Sequence, residues 1–355
     1  MKIIQWATGA MGRTCLQAVI DAPHLELVGL YVYGDRKAGR DAGDIARREP
    51  TGITATRDVD EILALDADVV IHAARLDPPF ERHDADICRL LRSGKNVISL
   101  NGGTNPAHWP EARRAQFEAA GREGGATFMG AGLNPGFAAE KLAVLATGVC
   151  SRVDAVSLHE VVDCRAVKSP EYVFDVIGFG APVDRVDPND PDWAPAALMS
   201  ALFEEVVTLV TARLGWRPER VTTAHRLRPA TTDLEIAAGT IKSGTAARID
   251  WMWHAHAAGQ VRVKLGISWT MEKPAPEETA SGLWNIRITG EPDVSILFGL
   301  HEPDGWTART TAEMLGVAGA VTNAIPHVIA AAPGVAETPP FVAWRAPEQA
   351  REIVA

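Results

Sequence analysis

Cysteine is scarce. Four thiols (Cys15, Cys88, Cys150 and Cys164) stand far apart in 355 residues, and no two form a C-x-x-C pair. That spacing argues against a disulfide framework or a thiolate zinc site, and the thiols read as free in a reducing cytoplasm. Positive charge is also short: 35 Lys and Arg face 45 Asp and Glu, a net charge of −10. Such a balance argues against nucleic acid or an anionic membrane as partner. No apolar run reads as long enough to span a bilayer. Lys2 leads straight into a short strand, which speaks against a signal peptide. Repeats and low-complexity tracts are missing too. At 46% hydrophobic and 23% charged residues, the chain has the composition of a soluble globule with room for two domains.

The most informative stretch lies at the start. An apolar strand, Lys2–Trp6, runs into Ala7-Thr8-Gly9-Ala10-Met11-Gly12-Arg13, and an amphipathic helix follows with Leu16, Val19 and Ile20. Strand, A-x-G-x-x-G and helix in that order suit a dinucleotide pyrophosphate. Gly9 lets backbone approach the phosphates, Gly12 lets helix and strand pack closely, and the helix start offers unpaired N–H groups. Thr8, Gly9, Ala10, Met11, Gly12 and Arg13 are therefore expected to bind cofactor.

Residues 1–148 alternate strand and helix and predict a parallel Rossmann sheet. Expected strands are Lys2–Trp6, Glu26–Tyr33, Val69–Ala74, Asn96–Leu100 and Ala126–Met129. Expected helices are Met11–Asp21, Phe80–Ser93 and Ala107–Gly121. Ligands of such sheets bind beyond the carboxyl ends of the strands. The loops there add Ala73, Ala74, Ser99, Asn134, Pro135 and Gly136 to the cofactor set. After the second strand the loop reads Gly34-Asp35-Arg36-Lys37. Asp35 suits a 2′-hydroxyl and so NAD; Arg36 and Lys37 suit a 2′-phosphate. Without an acid at the strand terminus, NADP(H) is preferred, with NAD(H) possible.

The character changes near Cys150. Residues 152–163, 232–238, 246–256, 260–271, 283–289 and 294–299 read as strands of a mostly antiparallel sheet, with an apolar helix over 198–214. The fold class is thus an α/β Rossmann domain with a second α+β domain. Residues 149–310 are the expected substrate and dimerisation domain. Residues 311–355 supply a closing helix and tail that pack back on the Rossmann domain. Seven of the ten tryptophans fall between Trp193 and Trp306, which predicts an aromatic core or an interface.

Several motifs carry a family resemblance. They are Gln5–Arg13, Gly39-Arg40-Asp41-Ala42-Gly43-Asp44, Gly132-Leu133-Asn134-Pro135-Gly136-Phe137, Asp163…Ser169-Pro170-Glu171…Gly178-Phe179-Gly180, and Asn323-Ala324-Ile325-Pro326. Together they resemble the 2,4-diaminopentanoate dehydrogenase and native amine dehydrogenase group, whose first domain is like that of dihydrodipicolinate reductase. The resemblance implies an NAD(P)-dependent, usually homodimeric enzyme that interconverts an amine with a ketone plus ammonia. Hydride would pass between nicotinamide C4 and an imine carbon held between the domains. One departure stands out. Where that group carries a catalytic glutamate, Leu100-Asn101-Gly102-Gly103-Thr104-Asn105-Pro106 has no acid. Losing such a base costs about 10² to 10⁴ in rate.

Glu160 offers a replacement. It shares a strand face with Val156, Leu158 and Val162, where desolvation favours proton transfer near neutrality. The bland alternative pairs it with a buried arginine such as Arg165. Asn101 and Asn134 are expected to position the reacting nitrogen or oxygen, and Thr104, Phe137, Val162, Arg165 and His254 to line the substrate site. His159 faces the other way and reads as structural. His254 and His256 alternate beside Asp250, but a third metal ligand at motif spacing is not visible, so no metal is expected. Lys168 and Tyr172 read as loop residues. The leading reading is a cytoplasmic amine dehydrogenase-like oxidoreductase acting on a small, mostly apolar ketone, imine or amine. Its rivals are a carbonyl or preformed-imine reductase that needs no ammonia, and a silent NADP(H)-binding sensor.

Overall fold

The computed structural model describes residues 1–75, 80–275, 278, 284–308 and 310–341. Of the sequence expectations, residues 76–79 of the loop after the Val69 strand, Leu283 and the tail from 342 lie outside them. The chain divides into two compact units, one holding residues up to Phe137 and those from His301 onward, the other running from Ala138 to Leu300.

Strands are numbered along the chain. The first unit holds β1 (Lys2–Trp6), β2 (Glu26–Tyr31), β3 (Ala55–Thr56), β4 (Val69–His72), β5 (Asn96–Ser99), β6 (Thr127–Gly130) and β16 (Gly334–Ala336). They pair in parallel throughout, in the order β16-β6-β5-β4-β1-β2-β3. Connections run one way from β1 to β3 and the other way from β4 to β6, so the order reverses between β1 and β4. That reversal is where such sheets bind ligands. Ile3, Ile4, Val69, Val70, Ile71, Val97 and Ile98 have no exposed surface, which explains why these strands read as continuous apolar runs. The helix Ala312–Ala330 packs Ala318, Val321, Ile325 and Val328 onto Ile3, Ile71 and Ile98. Thr311 Oγ1 caps it by accepting from Met314 N at 3.3 Å.

Boundaries differ in places. β2 stops at Tyr31, β4 at His72 and β5 at Ser99. Short elements escaped the periodicity: β3, β16 and the helices Ala42–Ala46 and Val59–Ala64. Two to six residues are too few for a period to show.

The second unit holds β7 (Arg152–Asp163), β8 (Arg220–Thr223), β9 (Arg226–Pro229), β12 (Ala246–Ala257), β13 (Gln260–Thr270), β14 (Trp284–Glu291) and β15 (Val294–Phe298) in one sheet, ordered β15-β14-β7-β13-β12-β8 with β9 also on β12. β7 and β13 run parallel; the other pairs are antiparallel. The expected strand over 232–238 is instead a small hairpin, β10 (Leu234–Ile236) with β11 (Gly239–Ile241). One sheet face is sealed by the helix Ala194–Arg213, where Trp253 Nε1 donates to Ser200 Oγ at 3.0 Å. By length and composition this helix passes for a membrane span, which amends the reading of apolar runs. Most of it is buried, as a core helix is. Trp251, Trp253 and Trp284 are fully buried and form the expected aromatic core.

Candidate active site

At the end of β1 the backbone turns at Ala7, which has φ 70°, and the helix Ala10–Asp21 begins at once. A Cβ on Gly12 would sit 2.3 Å from the Ala7 carbonyl oxygen and 3.2 Å from Ala73 Cβ. Only glycine lets the helix come this close to the ends of β1 and β4. Gly9 has the opposite surroundings, since a Cβ there would meet nothing within 4 Å. It caps the helix with no side-chain bond, and no acid stands in the first turn. The early amides are thereby left facing an open, anion-favouring space.

Basic groups frame that space. Lys37 Nζ donates to the Thr8 carbonyl oxygen at 2.6 Å and to Thr8 Oγ1 at 2.9 Å. Partial burial lowers the Lys37 pKa, and the nearby charges of Arg13 and Arg40 lower it further. Three cations crowding one turn repel each other, and a bound diphosphate relieves that repulsion. Arg36 is exposed on the same loop, while Asp35 forms an exposed ion pair with Arg57. The residues present fit a dinucleotide.

The next loops are knitted to one another. Asn101 Nδ2 donates to the Ala74 carbonyl at 2.8 Å, and Asn101 N donates to Ser99 Oγ at 3.1 Å. Gly130 N donates to the Gly103 carbonyl, and Ala131 N to that of Ser99, both at 3.0 Å. A Cβ on Gly130 would lie 2.4 Å from Gly103 C. The acid-free segment is therefore a packed double-glycine turn in which Thr104 is 1% exposed. Asn134 and Pro135 join through a cis peptide, and Gly136 has φ 124° with its Cβ position 2.6 Å from Gly132 N. Phe137 N closes the turn onto the Leu133 carbonyl at 3.0 Å.

In the second unit, Glu160 is 4% exposed and lies on the face with Val156 and Leu158 that the sequence pattern assigns to it. Register sets Trp284 beside it on β14 and Ile267 beside it on β13, with Trp251 next in that row. The alternative pairing with Arg165 is not formed. Arg165 Nη2 holds Asp163 Oδ2 at 2.6 Å at the half-exposed end of β7. Val162 is half-buried beside Trp269.

Across the sheet His159 Nε2 meets Ser268 Oγ at 3.0 Å, and Ser268 Oγ donates to Asp250 Oδ1 at 2.6 Å. Arg248 and Arg228 both bind Asp250; against the effect of burial, the Ser268 hydrogen bond and these two arginines hold its carboxyl below the usual range. This is a charge-compensated network on the face opposite Glu160. His256 Nε2 meets Thr222 Oγ1 at 3.0 Å, whereas His254 is half-buried. Among the described residues no group of three or more His, Cys, Asp or Glu converges as a metal site. Tyr172 lies on a helical turn, Glu171–Val176, rather than on a loop.

Sequence reasoning passed over Lys141. It sits in a single π-helical turn, Ala138–Ala143, 5% exposed. Burial pushes its ammonium down to about 8, with Glu140 opposing and Arg213 reinforcing the shift. The one available signal was a lone cation in an apolar helical run directly after Asn134-Pro135-Gly136.

A reversed parallel sheet with an open glycine turn and a basic rim defines a nucleotide-dependent oxidoreductase of the NAD(P) class. Comparisons agree. The family described as dihydrodipicolinate reductase, N-terminus, matches residues 2–78, and that described as 2,4-diaminopentanoate dehydrogenase C-terminal domain matches residues 137–347. The chain belongs to this 2,4-diaminopentanoate dehydrogenase family. It is 26% identical over 351 residues to an amine dehydrogenase of Streptomyces virginiae, covering 94% of both chains. It is 24% identical over 346 residues to the 2,4-diaminopentanoate dehydrogenase of Acetoanaerobium sticklandii, covering 94% of this chain and 91% of that one. The solved amine dehydrogenase of Mycobacterium smegmatis shares the fold, with a TM-score of 0.78, 19% identity and 98% of both chains covered.

Proposed function

We propose that the protein acts on an amine or imine as an NADP(H)-preferring amine dehydrogenase, reversibly converting a small, mostly apolar ketone and ammonia to an amine. The observation that carries the reading is Glu160, a carboxylate buried between Ile267 and Trp284 in the unit that follows the nucleotide turn. In this account Gly9, Gly12, Arg13 and Lys37 hold the pyrophosphate, and Arg36 takes the 2′-phosphate. Thr8, Ala10 and Met11 complete the turn, and Ala73, Ala74, Ser99, Pro135 and Gly136 border the dinucleotide. The bound nucleotide supplies or accepts hydride. Asn134 orients the carboxamide or the reacting heteroatom, Asn101 steadies the neighbouring loop, and Glu160 moves protons. Residues 149–310 carry substrate binding and a homodimer contact, and the enzyme works in the cytoplasm.

A second reading follows from the packed, acid-free turn at Asn101–Pro106: reduction of a carbonyl or preformed imine without ammonia. One assay separates them. Oxidation of NADPH and NADH is followed with a panel of small apolar ketones, with and without ammonium. Ammonium-dependent oxidation supports the amine dehydrogenase, and ammonium-independent oxidation supports the second reading. Silence across ketones, aldehydes and cyclic imines would overturn both.

A further inference from the structure

Trp251 and Trp253 stand two residues apart on β12, on the sheet face that also carries Glu160, yet their indole N–H groups fare differently. Trp253 Nε1 donates to Ser200 Oγ at 3.0 Å. Trp251 Nε1 is buried and has no hydrogen-bond partner among the described residues. Trp284, directly beside Glu160 on β14, is buried with its Nε1 equally unpartnered. A buried donor left unmade is costly, and native folds supply it with an acceptor from protein, water or ligand.

His225 adds a second donor against Trp251. It is 3% exposed, and its ring lies 5.0 Å from that of Trp251 at 77° and 5.0 Å from that of Trp253 at 70°. Asn189 grips its backbone twice: His225 N donates to Asn189 Oδ1 at 2.8 Å, and Asn189 Nδ2 to the His225 carbonyl at 3.1 Å. Met252 N donates to His225 Nδ1 at 2.9 Å, so Nδ1 is the acceptor and the proton of the neutral ring sits on Nε2. Burial, with His254 nearby, lowers the ring to about 4, so it is uncharged near pH 7. Its Nε2 is buried and, among the described residues, unpartnered. Trp193 at 5.8 Å and Trp253 at 6.4 Å lie nearly parallel to Trp251 and hold its ring in place. Two adjacent, fixed rings therefore carry one unmet N–H each.

Register sets Trp284, Glu160, Ile267 and Trp251 in one row across β14, β7, β13 and β12, and His225 packs against Trp251 at its end. Neighbouring strands lie about 4.8 Å apart, so the Trp251 backbone stands about 10 Å along the row from that of Glu160. The row thus reads carboxylate, apolar step, then two unmet donors, with no cation in it. An anion there would be buried without a counter-charge and near Glu160, at high cost. A neutral oxygen accepts from both N–H groups and meets no such cost. We propose that His225 Nε2 and Trp251 Nε1 bind a neutral oxygen of the substrate, so that the ketone carries a second oxygen, as hydroxyl, ether or carbonyl, several carbons from the carbon that reacts. This rests on the amine dehydrogenase reading with Glu160 at the reacting carbon. An all-carbon ketone of the same length leaves both donors stranded, and the site selects against it.

Two measurements test it. In the first, ketones of one chain length, all-carbon or with an oxygen placed at successive positions, are aminated with NADPH and ammonium. One oxygen position should raise kcat/KM by about 10- to 100-fold over the all-carbon ketone. W251F keeps an aromatic ring without the N–H, and H225N keeps an acceptor for Met252 N without Nε2. Each should cut that ratio by about fivefold or more. A wild type indifferent to the oxygen, or a preference that both variants keep, would overturn the proposal and leave the donors to an internal water. Should either variant fail to fold, the wild-type preference decides. The second measurement needs no turnover. Indole N–H signals of nitrogen-15-labelled protein are recorded with NADP⁺ and a saturating ketone, the Trp251 signal being the one that W251F lacks. It should move downfield with the oxygen-bearing ketone and not with the all-carbon one, and identical spectra would contradict the proposal. A wild type that shows this shift without ammonium-dependent turnover removes the amine dehydrogenase reading, whereas amination without oxygen preference removes only the oxygen site.

Discussion

The ammonium of Lys37 is bonded to Thr8 twice, at 2.6 Å to the carbonyl oxygen and 2.9 Å to the hydroxyl. This commits Lys37 to the glycine turn and leaves Arg36 exposed on the loop. On the proposed function the two neighbours take separate roles, although their sequence positions alone suggested a shared one. K37Q should weaken NADH and NADPH alike by about 10- to 100-fold, the worth of a charge-assisted hydrogen bond. R36A should weaken NADPH by a similar factor and leave NADH nearly unchanged. Calorimetric titration of each variant with both nucleotides reads the difference. Equal losses in R36A would remove the 2′-phosphate role.

Gly9 and Gly12 make a matched pair. A methyl at Gly12 falls 2.3 Å from the Ala7 carbonyl, so G12A should cost about 1–3 kcal/mol of stability. Gly9 has φ −61° and open space at its Cβ position, so G9A should fold with wild-type stability. Its methyl would occupy the space offered to the phosphates, and nucleotide affinity should drop instead. Urea denaturation and nucleotide titration together check both. A G9A protein that binds normally would mean the phosphates lie elsewhere.

Much of this was legible in the sequence. The long strands and the glycine turn show because burial on one or both faces writes a period, and because a close helix–strand approach admits only glycine at residue 12. β8 and β9 were not legible. Their residues are half-exposed or exposed and carry Arg220, Arg226 and Arg228, so no apolar alternation marks them. The motif around Asp41 reads differently in three dimensions. Asp41 accepts from Gly43 N at 2.6 Å, Thr51 N at 2.9 Å and Gly52 N at 2.7 Å, so it caps a short helix and ties its loop. Glu160 was found by parity along one strand. Lys141 was missed because a single turn has too few residues to reveal which side faces the core.

Acid should expose two buried histidines. Burial lowers His72 to about 3 and His225 to about 4, against 6.5 for the free side chain. In each case the unfolded chain takes up a proton below about 6.5 that the native state refuses until far lower pH. Stability is then fully present above 6.5 and is lost as pH falls, at about 1.4 kcal/mol per pH unit for each histidine. Among the described residues neither ring nitrogen of His72 has a hydrogen-bond partner. H72L should therefore match wild type near pH 7 and lose less of its stability near pH 5. Thermal unfolding at the two pH values is the check, and parallel losses in both proteins would contradict it.

The central claim is that hydride from a reduced nicotinamide reaches a carbon bearing nitrogen, with Glu160 serving proton transfer there. Its most direct test supplies C4-deuterated NADPH, a small ketone and ammonium, and locates the deuterium in the product by mass spectrometry. One deuterium on the amine-bearing carbon is expected, with E160Q slowing its appearance by about 10² to 10⁴. Nucleotide oxidised without deuterium in any amine, or E160Q labelling at the wild-type rate, would contradict the account.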